Sequence, residues 1–406
     1  MNQNYIVKYK SLFIVTLIVL FTFQEFLSKL LPIFSYIDEL PFLLLLVHLI
    51  LYRKDLKFVI ENNKMYLILL SVFIISGLIG NLIYHYQPIK LVLIDLMTNL
   101  KFYCAIWYFY YYIGKIDLGD QQIQKTAKLL TLFLMVFFIV DRIFNIFPGQ
   151  IRFGIRSAAL MYGHPTYLAG ICAFLISILT YSDPKKNFLY ICMDLIILIF
   201  TLRSKAIASA VLYLVLLIFI KRFNYKVKLT HLIFLSMIGF ILAWSKIQYY
   251  FIDLGGQSAR SVMLITSFLI IKDYFPFGTG FGTFGSHVAS AQVHYSPVYV
   301  KYGFEKVSEL SNSTIGTFFD DQFWPIIFGQ TGVIGTICYV MILFCLFKRI
   351  QKVYEVSLNK YIICLFILFY LLISSVAEPA FNNAIAIPFT MVLASCFQAN
   401  SENSEY

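Results

Sequence analysis

The chain has 406 residues, of which 60% are hydrophobic and only 13% charged, and it carries a formal net charge of +11 at a mean hydropathy of +0.79. A soluble domain is nearer half apolar and a quarter charged, so a water-soluble fold, intrinsic disorder, a disulfide-stapled secreted domain and a nucleic-acid-binding module are excluded. In so apolar a chain the positive charge reads as Lys and Arg in cytoplasmic loops.

Spanning a bilayer takes roughly 20 mostly apolar residues. That length predicts an all-α polytopic membrane protein, a single integral membrane domain over 1–406 with about twelve spans. They fall near 11–34, 36–52, 65–84, 91–113, 126–147, 158–181, 187–202, 206–220, 229–246, 323–347, 360–378 and 382–397. The first follows Lys8 and Lys10 and lacks a small-residue cleavage site, so it reads as a helix that stays rather than a signal peptide. Placing the N-terminus inside puts most of the 32 Lys and Arg on the inner side, Arg53, Lys54, Lys185, Lys186, Lys221, Arg222, Lys348 and Arg349 among them. Both termini are then cytoplasmic. The seven cysteines all lie in apolar stretches without a CxxC pair, which suggests neither a disulfide framework nor a zinc site.

One connection stands apart. Residues 247–321 form an outer loop of about 75 residues between the ninth and tenth spans, a length that is usually functional or disordered. Its Tyr, Phe, Gly and His content favours an ordered, functional loop. It holds Arg260, Lys272, Lys301 and Lys306 against six acidic residues, so Arg260 is not part of a general cationic surface. Ser258 is a plausible N-cap for a helix over 259–273. A cation in a first helical turn opposes the macrodipole unless an anion shares the site.

Other outward basic residues need a similar reason. Arg152 and Arg156 stand in IRFGIRSA, and Arg203 and Lys205 in TLRSKA. They either snorkel to lipid headgroups or offer guanidinium forks to phosphate oxygens. Gly280, Gly282 and Gly285 of PFGTGFGTFG match GxGxxG without a βαβ unit, so they read as a tight turn whose N–H groups could touch a diphosphate. Asp320–Asp321 reads either as a helix cap with first-turn charge or as a general base. His164, in MYGHPTYLAG, reads as structural before it reads as catalytic. Asp95, Lys101, Asp141 and Arg142 fall in or beside spans, where charges are usually paired. Asp38–Glu39 is a weaker acidic pair in the first outer loop.

Taken in order, the spans, the late outer loop, Arg260 followed by a helix and PFGTGFGTF, then Asp-x-x-Trp and GQTGVIG resemble the O-antigen polymerase and O-antigen ligase-like superfamily, over roughly residues 150–345. Carried over, Arg260 matches the loop arginine of that family, Arg203 a second and Arg156 a third. Ligases of the family place His-Asn where Asp321–Gln322 stands here, a departure toward the polymerases. Pro165 and Ala169 echo a Pro-Asn-x-x-Ala segment, with Thr166 replacing Asn. The resemblance implies a bacterial inner-membrane polymerase that takes a polyprenyl-diphosphate-linked oligosaccharide, without a cofactor or a metal. Arg260, Arg203 and Arg156 would hold the diphosphate, and Asp321 would serve as base or acceptor-positioning group. Gly280, Gly282, His164 and Asp320 would support them. Membrane lipids are partners on this reading, a chain-length regulator protein is a further one on which the residues are silent, and nucleic acid is not. A ligase-type transferase, a lipid-linked oligosaccharide flippase and a transferase working at Asp38 and Glu39 are the alternatives.

Overall fold

In apolar surroundings a backbone must satisfy its own N–H and C=O groups, and this chain does so mainly with helices. A computed structural model describes residues 3–51, 63–111, 117–228, 258–290, 293–307 and 318–401, with short pieces at 230–231, 244, 248–253 and 309–311. The expected ninth span, 229–246, lies almost wholly outside the described residues.

Helix α1 (Gln3–Leu30) leads through a 3-10 segment (Pro32–Glu39) into α2 (Leu40–Leu51). There follow α3 (Lys64–Tyr84), α4 (Ile89–Tyr111) and α5 (Gln121–Phe144). A short hairpin, β1 (Ile151–Arg152) against β2 (Ile155–Arg156), pairs Ile151 with Arg156. After it come α6 (Pro165–Ser182), α7 (Phe188–Phe200), α8 (Ser204–Phe223), α9 (Ala259–Asp273), the short α10 (Pro297–Lys301), α11 (Phe323–Val353), α12 (Leu358–Ser374) and α13 (Ala386–Ser401).

Local chemistry sets several ends. Asp120 caps α5 by accepting from the N–H groups of Gln122 and Ile123, and Pro165 opens α6, where its missing N–H costs nothing. Asn145 and Asn224 end α5 and α8 in the left-handed conformation, which Asn tolerates better than most side chains.

Among the described residues six helical segments are long and apolar enough to cross a membrane: Lys10–Leu30, Pro32–Leu51, Lys64–Tyr84, Pro165–Ser182, Ser204–Phe223 and Phe323–Val353. Helices α7, α12 and the first part of α13 are apolar but shorter. Helices α4 and α5 have the length, yet Asp95, Asn99 and Lys101 interrupt the first and Lys125, Lys128, Asp141 and Arg142 the second. With the three shorter helices, and a ninth window that lies outside the described residues, this accounts for the difference from the twelve apolar windows of the sequence. Large side chains such as Ile50, Leu82, Ile89, Phe188 and Phe219 stand exposed on the outer faces. So much apolar surface belongs against lipid.

Helix α6 runs through the centre and is buried over nearly its whole length, packed by α5, α7, α12 and α13. Several charges within the bundle have partners, although Asp194 Oδ1 is buried without one. Lys101 pairs with Asp38, whose other oxygen accepts from Gln24 Nε2 at 2.7 Å. Asp194 accepts from Thr131 at 2.8 Å.

Two irregular segments interlock between α3 and α11. Helix α11 breaks at Gly332 (φ 59°, ψ −156°), and the loop 276–285 threads against the break. The N–H groups of Thr279 and Gly280 donate to the carbonyls of Gly329 and Gln330, each at 2.9 Å. A Cβ on Gly332 would sit 2.5 Å from the backbone nitrogen of Gly278, closer than any real contact, so only glycine fits. Irregular backbone is tolerated at such depth when protein covers it, and Thr279 and Thr283 are fully buried.

The described part of the long connection 247–321 has a core of its own. Tyr299 stacks on Phe319 and Phe304 with ring centroids 4.2 and 5.0 Å away, and Met263, Tyr274, Phe284 and Leu310 close around them. Helix α9 leaves this unit to lie along α11.

Candidate functional site

Five segments meet at one end of the bundle: the hairpin, the start of α6, the α7–α8 turn, the start of α9 and the residues just before α11, with the α12–α13 connection beside them. Arg203 precedes α8 in extended conformation. Its Nη2 lies 3.1 Å from His164 Nε2 and 3.5 Å from Gln150 Oε1. Arg152 Nη2 donates to the same Gln150 oxygen at 3.2 Å. Lys205 pairs with Glu378 at 2.6 Å, and Arg260 with Asp321 at 3.3 Å.

Arg203 feels the charges of Arg152 and Arg260, and those of Glu378 and Asp321. Burial and the two cations together hold its proton affinity below the usual arginine range, though guanidinium stays charged throughout. Its Nε is buried without a hydrogen-bond partner, and so is Glu378 Oε1. Buried polar atoms left open in this way mark a place where a ligand can complete the bonding.

His164 caps α6, with Nδ1 3.3 Å from the N–H of Thr166. A neutral imidazole accepts only one hydrogen bond. The Thr166 N–H and the Arg203 Nη2–H are both donors, so the two contacts compete for that single acceptor. Burial, then Arg203, Lys205 and Arg152, lower the His164 pKa to about 4.

Burial pushes the Asp321 carboxyl up, Asp320 and Glu309 add to the rise, and Arg260 opposes it. Burial also raises Asp320, against its own backbone N–H and His287. Neither aspartate caps α11. Gln322 holds that position and makes no side-chain cap bond, so the capping explanation of the acidic pair does not apply.

At α9 the helix over 259–273 forms with the expected bounds, but Ser258 does not cap it through its side chain. Glu309 does, its carboxylate accepting from the N–H of Ala259 at 2.8 Å. The anion expected at this helix start is therefore in part an internal carboxylate.

Three expected site residues are occupied elsewhere. Arg156 donates to the carbonyls of Phe147 and Asp141 and lies 3.0 Å from the Asp141 carboxylate, where it ties the turn after α5 together with Arg142. Its donors are spent on structure. Gly280 donates to the carbonyl of Gln330 and Gly282 to Asp95 Oδ2, both at 2.9 Å. These N–H groups are buried inside the bundle and do not face a diphosphate. The turn they form has positive φ at Gly278, Gly280, Gly282 and Gly285, which explains the glycine pattern without a phosphate.

Glu378 was not among the sequence candidates. It stands alone in SVAEPA, and the signal that could have flagged it is the rule that an isolated carboxylate in an apolar stretch needs a cation. No protein-family model and no curated protein matches this chain.

Proposed function

We propose that the chain is a polysaccharide polymerase of a bacterial cytoplasmic membrane, with about twelve crossings, both termini inside and the cluster of Arg203, Arg260, Lys205, Asp321 and Glu378 facing out. It would join oligosaccharide repeats carried on polyprenyl diphosphate into O-antigen, capsule or exopolysaccharide. The observation that carries the reading is the convergence of Arg203, Arg260 and Lys205 on one site, where the guanidinium of Arg203 feels that of Arg260. Like charges gathered in this way favour an anion of high charge. Lys221, Arg222, Lys226 and Arg349 lie toward the opposite end of the bundle, where Lys226 pairs with Glu355. That placement supports the orientation.

In the reaction a hydroxyl oxygen of the acceptor repeat attacks the anomeric carbon of the donor. The bond from that carbon to the phosphate oxygen breaks, and the lipid diphosphate leaves with the electron pair. Arg203 and Arg260 meet the charge that develops on it. Asp321, its proton affinity raised by burial and by its acidic neighbours, takes the hydroxyl proton. A transferase centred on Asp38 fits less well, because both carboxylate oxygens of Asp38 are engaged by Gln24 and Lys101.

Deleting the gene in a strain with a visible surface glycan tests the reading. Glycan of single-repeat length is the expected result. Loss of all surface glycan would indicate a flippase, and long unattached chains a ligase. A spectroscopic prediction accompanies it. Burial, then Arg203, Lys205 and Arg152, depress His164; bound pyrophosphate offsets the three cations, so the His164 pKa rises from about 4 while burial keeps it below its ordinary value. An NMR titration of labelled histidine, assigned with His164→Gln, reads this shift, and an unmoved pKa refutes contact between pyrophosphate and this cluster.

A further inference from the structure

Beside the cationic cluster lies an open cavity of about 170 Å³, bounded by the outer end of α1, the turn before α6, the start of α6 and residues 384–385. Its polar wall is formed by Gln24, Glu25, Ser28, Ser35, Tyr162 and Tyr167, and its apolar part includes Phe21, Ile171 and Ile385. No lysine, arginine or histidine lines it among the described residues. Tyr162 is 1% exposed, and its hydroxyl is buried without a hydrogen-bond partner. Tyr162 and Tyr167 join the cavity to the cluster, since His164, which contacts Arg203, stands between them in the chain.

This lining is the chemical opposite of the neighbouring cluster. The Glu25 carboxylate repels phosphate, and the hydroxyl, phenol and amide groups match neutral hydroxyl groups. Aromatic and aliphatic faces cover the C–H surface of a ring. The buried Tyr162 hydroxyl disfavours an acyl chain, which would leave it unpaired. We infer that this cavity is a second ligand site, taking an uncharged, hydroxyl-bearing ring: a sugar of the acceptor repeat, held while the donor's diphosphate sits on Arg203 and Arg260. The identity of that sugar as an acceptor rests on the polymerase reading. The cavity's preference for a neutral saccharide does not.

The test uses the whole protein in phosphatidylcholine nanodiscs, free of sugar-based detergents. Saturation-transfer NMR probes methyl glycosides of glucose, galactose, mannose, rhamnose and N-acetylglucosamine, and phosphorus NMR probes inorganic pyrophosphate. At least one glycoside is expected to bind. Tyr162→Phe weakens it about fivefold, the value of one hydrogen bond, and Ala384→Trp, which fills the cavity, weakens it at least tenfold. Unchanged pyrophosphate binding in both variants reports an intact fold, and Tyr162→Phe keeps the test sound should the bulkier variant misfold. Arg203→Ala is expected to do the reverse, losing pyrophosphate and keeping the glycoside. The inference is overturned if no glycoside binds, if binding ignores both cavity substitutions, or if a spin-labelled fatty acid competes for the site. Glycoside binding without pyrophosphate binding would support the cavity while removing the diphosphate reading.

Discussion

Arg260→Ala is expected to lower polymer formation by about 10²–10³-fold, the usual cost of losing one donor to developing charge in a transition state, with protein levels in the membrane unchanged. Its side chain is only partly buried and pairs with Asp321 within the site. Arg260→Lys should recover little, because an ammonium cannot present two parallel donors to a phosphate. Asp321→Asn should be nearly as damaging as Arg260→Ala, and the double variant hardly worse than either, because groups acting as one unit are not additive. Glycan laddering on gels, with the protein quantified by immunoblot, reads all four strains. Normal chain lengths in Arg260→Ala would end the proposed role, and losses that simply multiply would separate the arginine from the aspartate.

Lys101→Met is expected to destabilise the protein by about 3–5 kcal/mol, the range for breaking a buried pair from one side. Lys101 and Asp38 are both almost wholly enclosed, and the surviving Asp38 would keep only the amide of Gln24. Adding Asp38→Asn in the same chain should restore most of the loss, because a neutral pair of similar volume carries no uncompensated charge. Thermal unfolding in detergent, followed by size-exclusion chromatography, measures this. A single variant as stable as the parent would mean that water reaches the pair. The two experiments also separate their sites: the first should remove activity from a folded protein, the second should remove folded protein.

The helices were legible because apolar windows and end signals act locally. The span over 187–202 became Phe188–Phe200, and the helix after Ser258 has the expected bounds. The meeting of Arg203, His164, Arg260 and Asp321 was legible only as scattered candidates. What escaped depended on partners far away in the chain. Glu378 has no local pattern, and its meaning comes from Lys205. The glycines around 280 announce a turn, but nothing nearby says that Asn81, Asp95 and Gln330 absorb its N–H groups. Arg156 looks like its neighbour Arg152 in sequence, yet Asp141 captures one and not the other. Asp320 and Asp321 have the composition of a cap, whereas the helix starts one residue too late for Asp321 and two too late for Asp320.

The interlock at Gly332 bears on how such a catalyst could work. It clamps the segment that follows α9 onto the broken middle of α11, so the supports of Arg260 and Asp321 are bolted together behind the chemistry. Opening and closing this jaw would mean pulling apart a glycine-lined seam in which every backbone donor from Gly278 to Gly280 is already engaged. On the polymerase reading, turnover would then fall to the traffic: the spent carrier would drift off sideways in the bilayer and the lengthened glycan would slip along the water side, past an anvil that stays still.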